Sequence, residues 1–135
     1  MTTYVQARDA IVSYFNPAWT TAFPAVPVFY ENTLQIDLDT VGSSFLTVSI
    51  DYTDSKQQDI DPSPITRTWG EVVLRLFVKE GGGIRNTLAM QDTLTALMKY
   101  RKLGDVTLEC PAPGKKQSRD GWQSVDLNAP FFFFQ

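Results

Sequence analysis

Hydrophobic and polar positions alternate with a period of two over two stretches of this chain, and with a helical period over two others. From Phe45, Leu46, Val48, Ile50 and Tyr52 fall on one face, and Thr47, Ser49 and Asp51 on the other. That is the pattern of a half-buried strand. From Thr66 to Lys79, Thr68, Val72, Leu74, Leu76 and Val78 alternate with Arg67, Trp69, Glu71, Arg75 and Lys79, and Val73 and Phe77 join the second face. One side of this strand is apolar and the other mixed. Glu80-Gly81-Gly82-Gly83 breaks it, and Ile84 to Leu103 then reads as a long helix. Ile84, Leu88, Met90, Leu94, Leu97 and Met98 form its broad apolar side, at about 100° per residue. Ala89, Ala96 and Tyr100 form a smaller stripe nearly opposite, which predicts a second element against the helix, most simply an N-terminal one. Gly104 is placed to end the helix, with Lys99, Arg101 and Lys102 near the negative end of its dipole.

The N-terminal helix is predicted over Thr3 to Phe15. Thr3-x-x-Gln6 has capping-box spacing, and Tyr4, Ala7, Ile11 and Tyr14/Phe15 recur at helical intervals. Asn16-Pro17 is expected to stop it, because proline disfavours the helical region for the residue before it. Ala18 to Pro27 then reads as a loop feeding an edge strand near Val28 to Glu31, with Trp19 and Phe23 either covering an open end of the core, the favoured reading, or facing a neighbour. The polar stretch Thr53 to Pro64 reads as a long loop that projects from an antiparallel ribbon. Val106 to Cys110 reads as a short strand, Pro111 to Gly121 as a basic connection, and Trp122 to Leu127 as a last strand. Phe131 to Phe134 cannot all face one core, since extended side chains alternate sides; part of this tail wraps the domain or meets a partner. The fold class is α+β: a single domain over residues 1–135, with a mostly antiparallel twisted sheet packed by two helices in the order α-β-β-β-α-β-β.

Composition narrows the chemistry. The chain has no histidine, which removes Ser-His-Asp and Cys-His catalysis and the usual proton shuttle at neutral pH. No enzyme activity, cofactor or metal is expected. The single cysteine, Cys110, cannot form an internal disulfide; it suits a reducing compartment and reads as a small packed strand residue. No apolar run spans a bilayer, and no secretory signal is visible in Met1-Thr2-Thr3-Tyr4. Neither the P-loop nor the dinucleotide spacing is present around Gly81-Gly82-Gly83. Those glycines read as a reversing connection whose helix start attracts anions only weakly. Asp51, Asp54, Asp59 and Asp61 lack the spacing of a calcium loop and read as a solvated acidic surface.

Charge placement says more than the net −3. Seven acidic residues and one basic residue, Lys56, lie between Glu31 and Asp61, whereas six basic residues face Asp105 and Glu109 between Lys99 and Arg119. A molecule with unlike charged sides can associate head to tail, and such contacts close into rings when the rotation permits.

The order of elements resembles the phage tail terminator-like family. The resemblance rests on Trp69-Gly70-Glu71-Val72-Val73-Leu74-Arg75-Leu76-Phe77-Val78, on the turn and helix from Gly81 to Leu103, and on the ending Gly121-Trp122-x-x-Val125-x-x-x-Pro130-Phe131. It implies a structural protein of a long-tailed bacteriophage or prophage, found in the virion tail and, during assembly, in the host cytoplasm. Members form rings, commonly hexamers, that cap the tail tube, end its growth and present the surface that joins the head. The implied partners are further copies of the chain, the tail tube protein and a head-connector protein, with no membrane and no direct reading of nucleic acid. No catalytic residues come with the resemblance. The residues expected to make partner contacts are Asp54, Lys56, Asp59 and Asp61 in the acidic loop, with Lys115, Lys116 and Arg119 in the basic connection. Three other readings compete: a head–tail connector, a metal-dependent hydrolase built on the Asp51–Asp61 carboxylates, and a nucleic-acid binder using Lys99–Arg119 with Trp122.

Overall fold

The computed structural model describes residues 2–31, 42–62, 64–81 and 84–135. Asp37 and Asp39 of the acidic stretch, and Gly82 and Gly83 of the glycine run, lie outside the described residues. The fold is α+β. Helix α1 (Tyr4–Ala22) is followed by β1 (Val28–Tyr30), β2 (Ser44–Gln57) and β3 (Thr66–Lys79), then helix α2 (Arg85–Met98), then β4 (Lys102–Leu103), β5 (Val106–Leu108), β6 (Ala112–Arg119) and β7 (Trp122–Phe134). The strands form one curled sheet in the order β1-β2-β3-β7-β5-β4, with β6 beside β7. Every pairing is antiparallel except the edge strand β1, which runs parallel to β2.

Alternation decides which face holds the core. Leu46, Val48 and Ile50 of β2, Val72, Leu74 and Leu76 of β3, and Leu127, Ala129, Phe131 and Phe133 of β7 all point to the helix side. Ala7, Ile11, Phe15 and Trp19 of α1 meet them, as do Met90, Leu94 and Met98 of α2. The Tyr14 hydroxyl donates to the Leu97 carbonyl at 2.7 Å and ties the two helices together. The four terminal phenylalanines divide by the same rule: Phe131 and Phe133 are fully buried, while Phe132 and Phe134 take the opposite face.

Helix α1 begins as the capping box predicts, with the Thr3 hydroxyl accepting from Gln6 N–H and the Gln6 amide oxygen accepting from Thr3 N–H. It does not stop at Pro17. The helix runs on to Ala22 with Pro17 inside it, so the loop expected from Ala18 starts only at Phe23. An interior proline costs about 3 kcal/mol. Burying a tryptophan, at about 200 Å² and 25 cal/mol per Å², returns about 5 kcal/mol. Trp19 is fully buried, its ring 6.2 Å from Phe15 and 4.9 Å from Phe23. Another helical turn is what carries it there.

The other corrections lie in the second half. Helix α2 ends at Met98, not at Leu103, because Lys99 to Leu103 are drawn into sheet contacts. Tyr100 N–H donates to the Glu109 carbonyl at 3.3 Å, and Leu108 N–H to the Arg101 carbonyl at 2.7 Å. Tyr100 closes the helix at φ 49°. Gly104, at φ 63°, instead turns the chain between β4 and β5, where Leu103 pairs with Val106. The stripe of Ala89, Ala96 and Tyr100 is exposed, and α1 meets α2 at Leu97 instead. Ile84 and Leu88, expected on the buried side, are also exposed. Cys110 is exposed and lies beyond the end of β5. The basic connection is strand β6, paired with β7 through a two-residue turn with Asp120 at φ 53° and Gly121 at φ 80°, the conformation that Asp-Gly favours in tight hairpins.

Candidate assembly surfaces

Two structural features flank the domain body. The first is the outer part of the β2–β3 ribbon. Ladder pairing continues to Gln57 opposite Thr66, so Thr53 to Gln57, expected in the loop, are strand. Register slips by one residue between Tyr52 and Asp54, and such a bulge bends and twists a ribbon. Every β2 residue from Asp51 to Gln57 is exposed. At the tip, Ile60 is 98% exposed between Asp59 and Asp61. An Asp59 carboxylate oxygen accepts from Ile65 N–H at 3.1 Å, and the Gln57 side-chain amide donates to the Asp59 carbonyl. The tip is therefore internally braced.

The open edge of this ribbon is partly capped by carboxylates. Glu31 accepts from Ile50 N–H at 3.3 Å and from the Ser49 hydroxyl at 3.1 Å, and Asp54 accepts from Ser55 N–H at 2.8 Å. Occupied amides and negative charge at an edge discourage indiscriminate strand pairing. A polar chain then links the ribbon to the C-terminus: Ser55 and Thr68 hydroxyls meet at 2.9 Å, and Thr68 donates to the Gln135 amide oxygen at 2.9 Å.

The second feature is the β6–β7 hairpin. Antiparallel pairing sets Arg67 opposite Phe134 and Lys79 opposite Trp122, while β6 pairs with the Trp122 half of β7. The ribbon and the hairpin are therefore at opposite ends of β3. Twelve residue steps at about 3.3 Å place those ends about 40 Å apart.

The helix-free face of the sheet joins them and has three zones. Beside the hairpin, Phe45 stacks on Phe77 at 4.6 Å and meets Trp122 edge-on at 5.2 Å, with the Lys79 ammonium 5.6 Å from the indole centre. In the middle, Arg75 makes two hydrogen bonds to Asp126, at 2.8 and 3.2 Å; this bonding, ahead of the opposing effect of burial, holds the guanidinium pKa above its usual value. Beside the ribbon, the Arg67 guanidinium lies 3.8 Å from the Phe132 ring centre, 5.0 Å from Trp69 and 5.9 Å from Phe134. This stacking explains how a partly buried arginine persists although its Nε has no hydrogen-bond partner among the described residues.

The predicted contact residues are distributed between the two ends. Asp54 and Lys56 sit on the ribbon opposite Trp69 and Arg67, and Asp59 and Asp61 lie at its tip. Lys115, Lys116 and Arg119 are on β6, where Arg119 and Asp120 form an exposed pair at 3.7 Å. The basic stretch does not stay together. Lys99, Arg101 and Lys102 adjoin β5, whose Thr107 and Leu108 pair with Phe132 and Phe131 near the ribbon base. Lys102 lines a cavity there with Ile65 and Gln135. Only Lys115, Lys116 and Arg119 occupy the far end. Sequence reasoning passed over Ile60, although a lone isoleucine between two aspartates in a polar stretch is a visible signal. It also missed Arg67, whose nearest aromatic neighbour, Phe132, comes from β7. Among the described residues, no cluster of three or more Cys, Asp or Glu is arranged to hold a metal ion, and no helix is long and apolar enough to cross a membrane.

No family model matches this chain, and no curated protein does. A solved structure whose name is a bare sequence label matches over 100% of this chain and 97% of its own, with a TM-score of 0.75 and 16% identity. At that identity the likeness speaks for the fold alone.

Proposed function

We propose that this chain is a structural assembly protein of the phage tail terminator type, which caps a tail tube and forms the surface that joins the head. One observation carries the assembly reading: an exposed, internally braced acidic ribbon ends in the uncovered Ile60, about 40 Å along β3 from a basic hairpin. A contact between the ribbon of one copy and the hairpin of the next joins unlike surfaces, which is the heterologous geometry that closes into rings. The resemblance described from sequence supplies the choice of a tail terminator among assembly proteins.

The test is electron microscopy of the purified protein, alone and mixed with tail tubes. Rings seated on tube ends are expected. A variant lacking residues 55–60 that still unfolds in one cooperative transition should yield tails that no longer stop at normal length. Normal tail length with that variant overturns the reading.

A further inference from the structure

A cavity of about 140 Å³ lies between the start of α2 and the β6–β7 hairpin, lined by Ile84, Thr87, Leu88, Lys116, Ser118 and Ser124 among others. Three features distinguish it from a packing gap. Thr87 is 3% exposed, yet its buried hydroxyl has no hydrogen-bond partner among the described residues. Thr87 keeps its donor free at the cavity wall, and a buried unmade hydrogen bond is destabilising.

The helix end beside it also lacks a side-chain cap among the described residues. Ile84 occupies the N-cap and offers no side-chain bond, and the first turn contains no acidic residue. The amides of Arg85, Asn86 and Thr87 therefore have no acceptor within the helix, and the positive end of its dipole is uncompensated. From the neighbouring strand, the exposed Lys116 lines the same cavity and forms no ion pair among the described residues.

We propose that this cavity binds a small oxyanion, held by the first amides of α2, the Thr87 hydroxyl and the Lys116 ammonium. One water needs about 10–15 Å³ of such volume, so the space has room for a phosphate or a carboxylate group. Two sources share this chemistry: a phosphate, and the carboxylates of an acidic segment such as Thr53–Pro64 of another copy. The site rests on its own residues, so a failure to form rings leaves it standing.

The experiment is an amide NMR titration of the full chain with inorganic phosphate, at ionic strength held constant with potassium chloride. Saturable shifts are expected at Arg85, Asn86, Thr87 and Leu88. Thr87→Val should weaken binding about tenfold, since it removes a bond to a charged group, whereas Thr87→Ser should retain it. Lys116→Gln should weaken it about threefold. Thr87→Val removes an unpaired buried hydroxyl, so its thermal midpoint without phosphate should not fall. A second arm uses a peptide of residues 53–64. Saturation by the peptide at lower concentration than phosphate assigns a carboxylate source, and saturation by phosphate alone assigns a phosphate; both support the site. Linear, non-saturating shifts in both arms, or Thr87→Val binding as tightly as wild type, overturn it.

Discussion

The ring of Phe131 occupies the space in which a side chain on Gly70 would begin. The two residues pair directly across β3 and β7, and a Cβ on Gly70 would lie 2.6 Å from Cζ of Phe131 and 2.5 Å from the Asp51 carbonyl oxygen. Phe131 in turn packs against Phe133 and Tyr52, with ring centres 6.4 and 5.9 Å away. Gly70→Ala should lower stability by at least about 2 kcal/mol, because backbone and ring must both move. Adding Phe131→Leu should recover part of that loss, a coupling that urea denaturation of the four proteins would measure.

Pro17 is tolerated for the sake of Trp19. Pro17→Ala restores a backbone donor and removes a ring clash, and loses only the smaller advantage proline has in the unfolded chain. The variant should gain about 1–2 kcal/mol, read as a higher urea midpoint with unchanged slope. Trp19→Ala should instead lose about 3–5 kcal/mol.

Burial raises the pKa of the Tyr52 phenol above its ordinary 10.0, with the Glu31 charge acting in the same direction. The folded state thus favours the neutral phenol. Stability from this source is complete below about pH 10 and is lost as pH rises through the folded-state value. Burial acts on Tyr30 in the same sense. Tyr52→Phe gives up the 2.7 Å hydrogen bond to the Tyr4 carbonyl, worth about 1 kcal/mol at neutral pH. Its stability should fall less steeply than wild type above pH 10, which thermal melts across that range would show.

Replacing Asp54 and Asp61 together with lysine should leave stability within about 0.5 kcal/mol, as exposed substitutions usually do. On the assembly reading the same variant should fail to cap tail tubes in micrographs. Reversal of Lys115 and Arg119 to glutamate in the same chain should restore capping in part, if ribbon and hairpin are mutual partners.

Much of this fold was legible in the chain because its cause is local. The period of two placed β3 to the residue, and the capping box placed the start of α1. Alternation predicted that the four terminal phenylalanines would divide between two faces. The Asp120-Gly121 turn carried a local signal too, since Asp-Gly favours left-handed conformations, although Pro111 to Gly121 was read as a connection and not as a strand. The rest is not local. The last turns of α1 exist because Trp19 finds a core built from distant strands. Helix α2 stops short because Glu109 and Leu108 offer sheet partners to the residues that follow it. An antiparallel ribbon was foreseen, but not that its strands run on through Thr53–Gln57, nor the division of the basic stretch between two ends of the molecule, because strand pairing across the sheet sets both. The strand–glycine–helix unit shows the same division: sequence periodicity placed β3 and the presence of α2, whereas where α2 ends, and the cavity that Thr87 and Lys116 both line, are set by the tertiary pairing that brings β6 beside the start of α2.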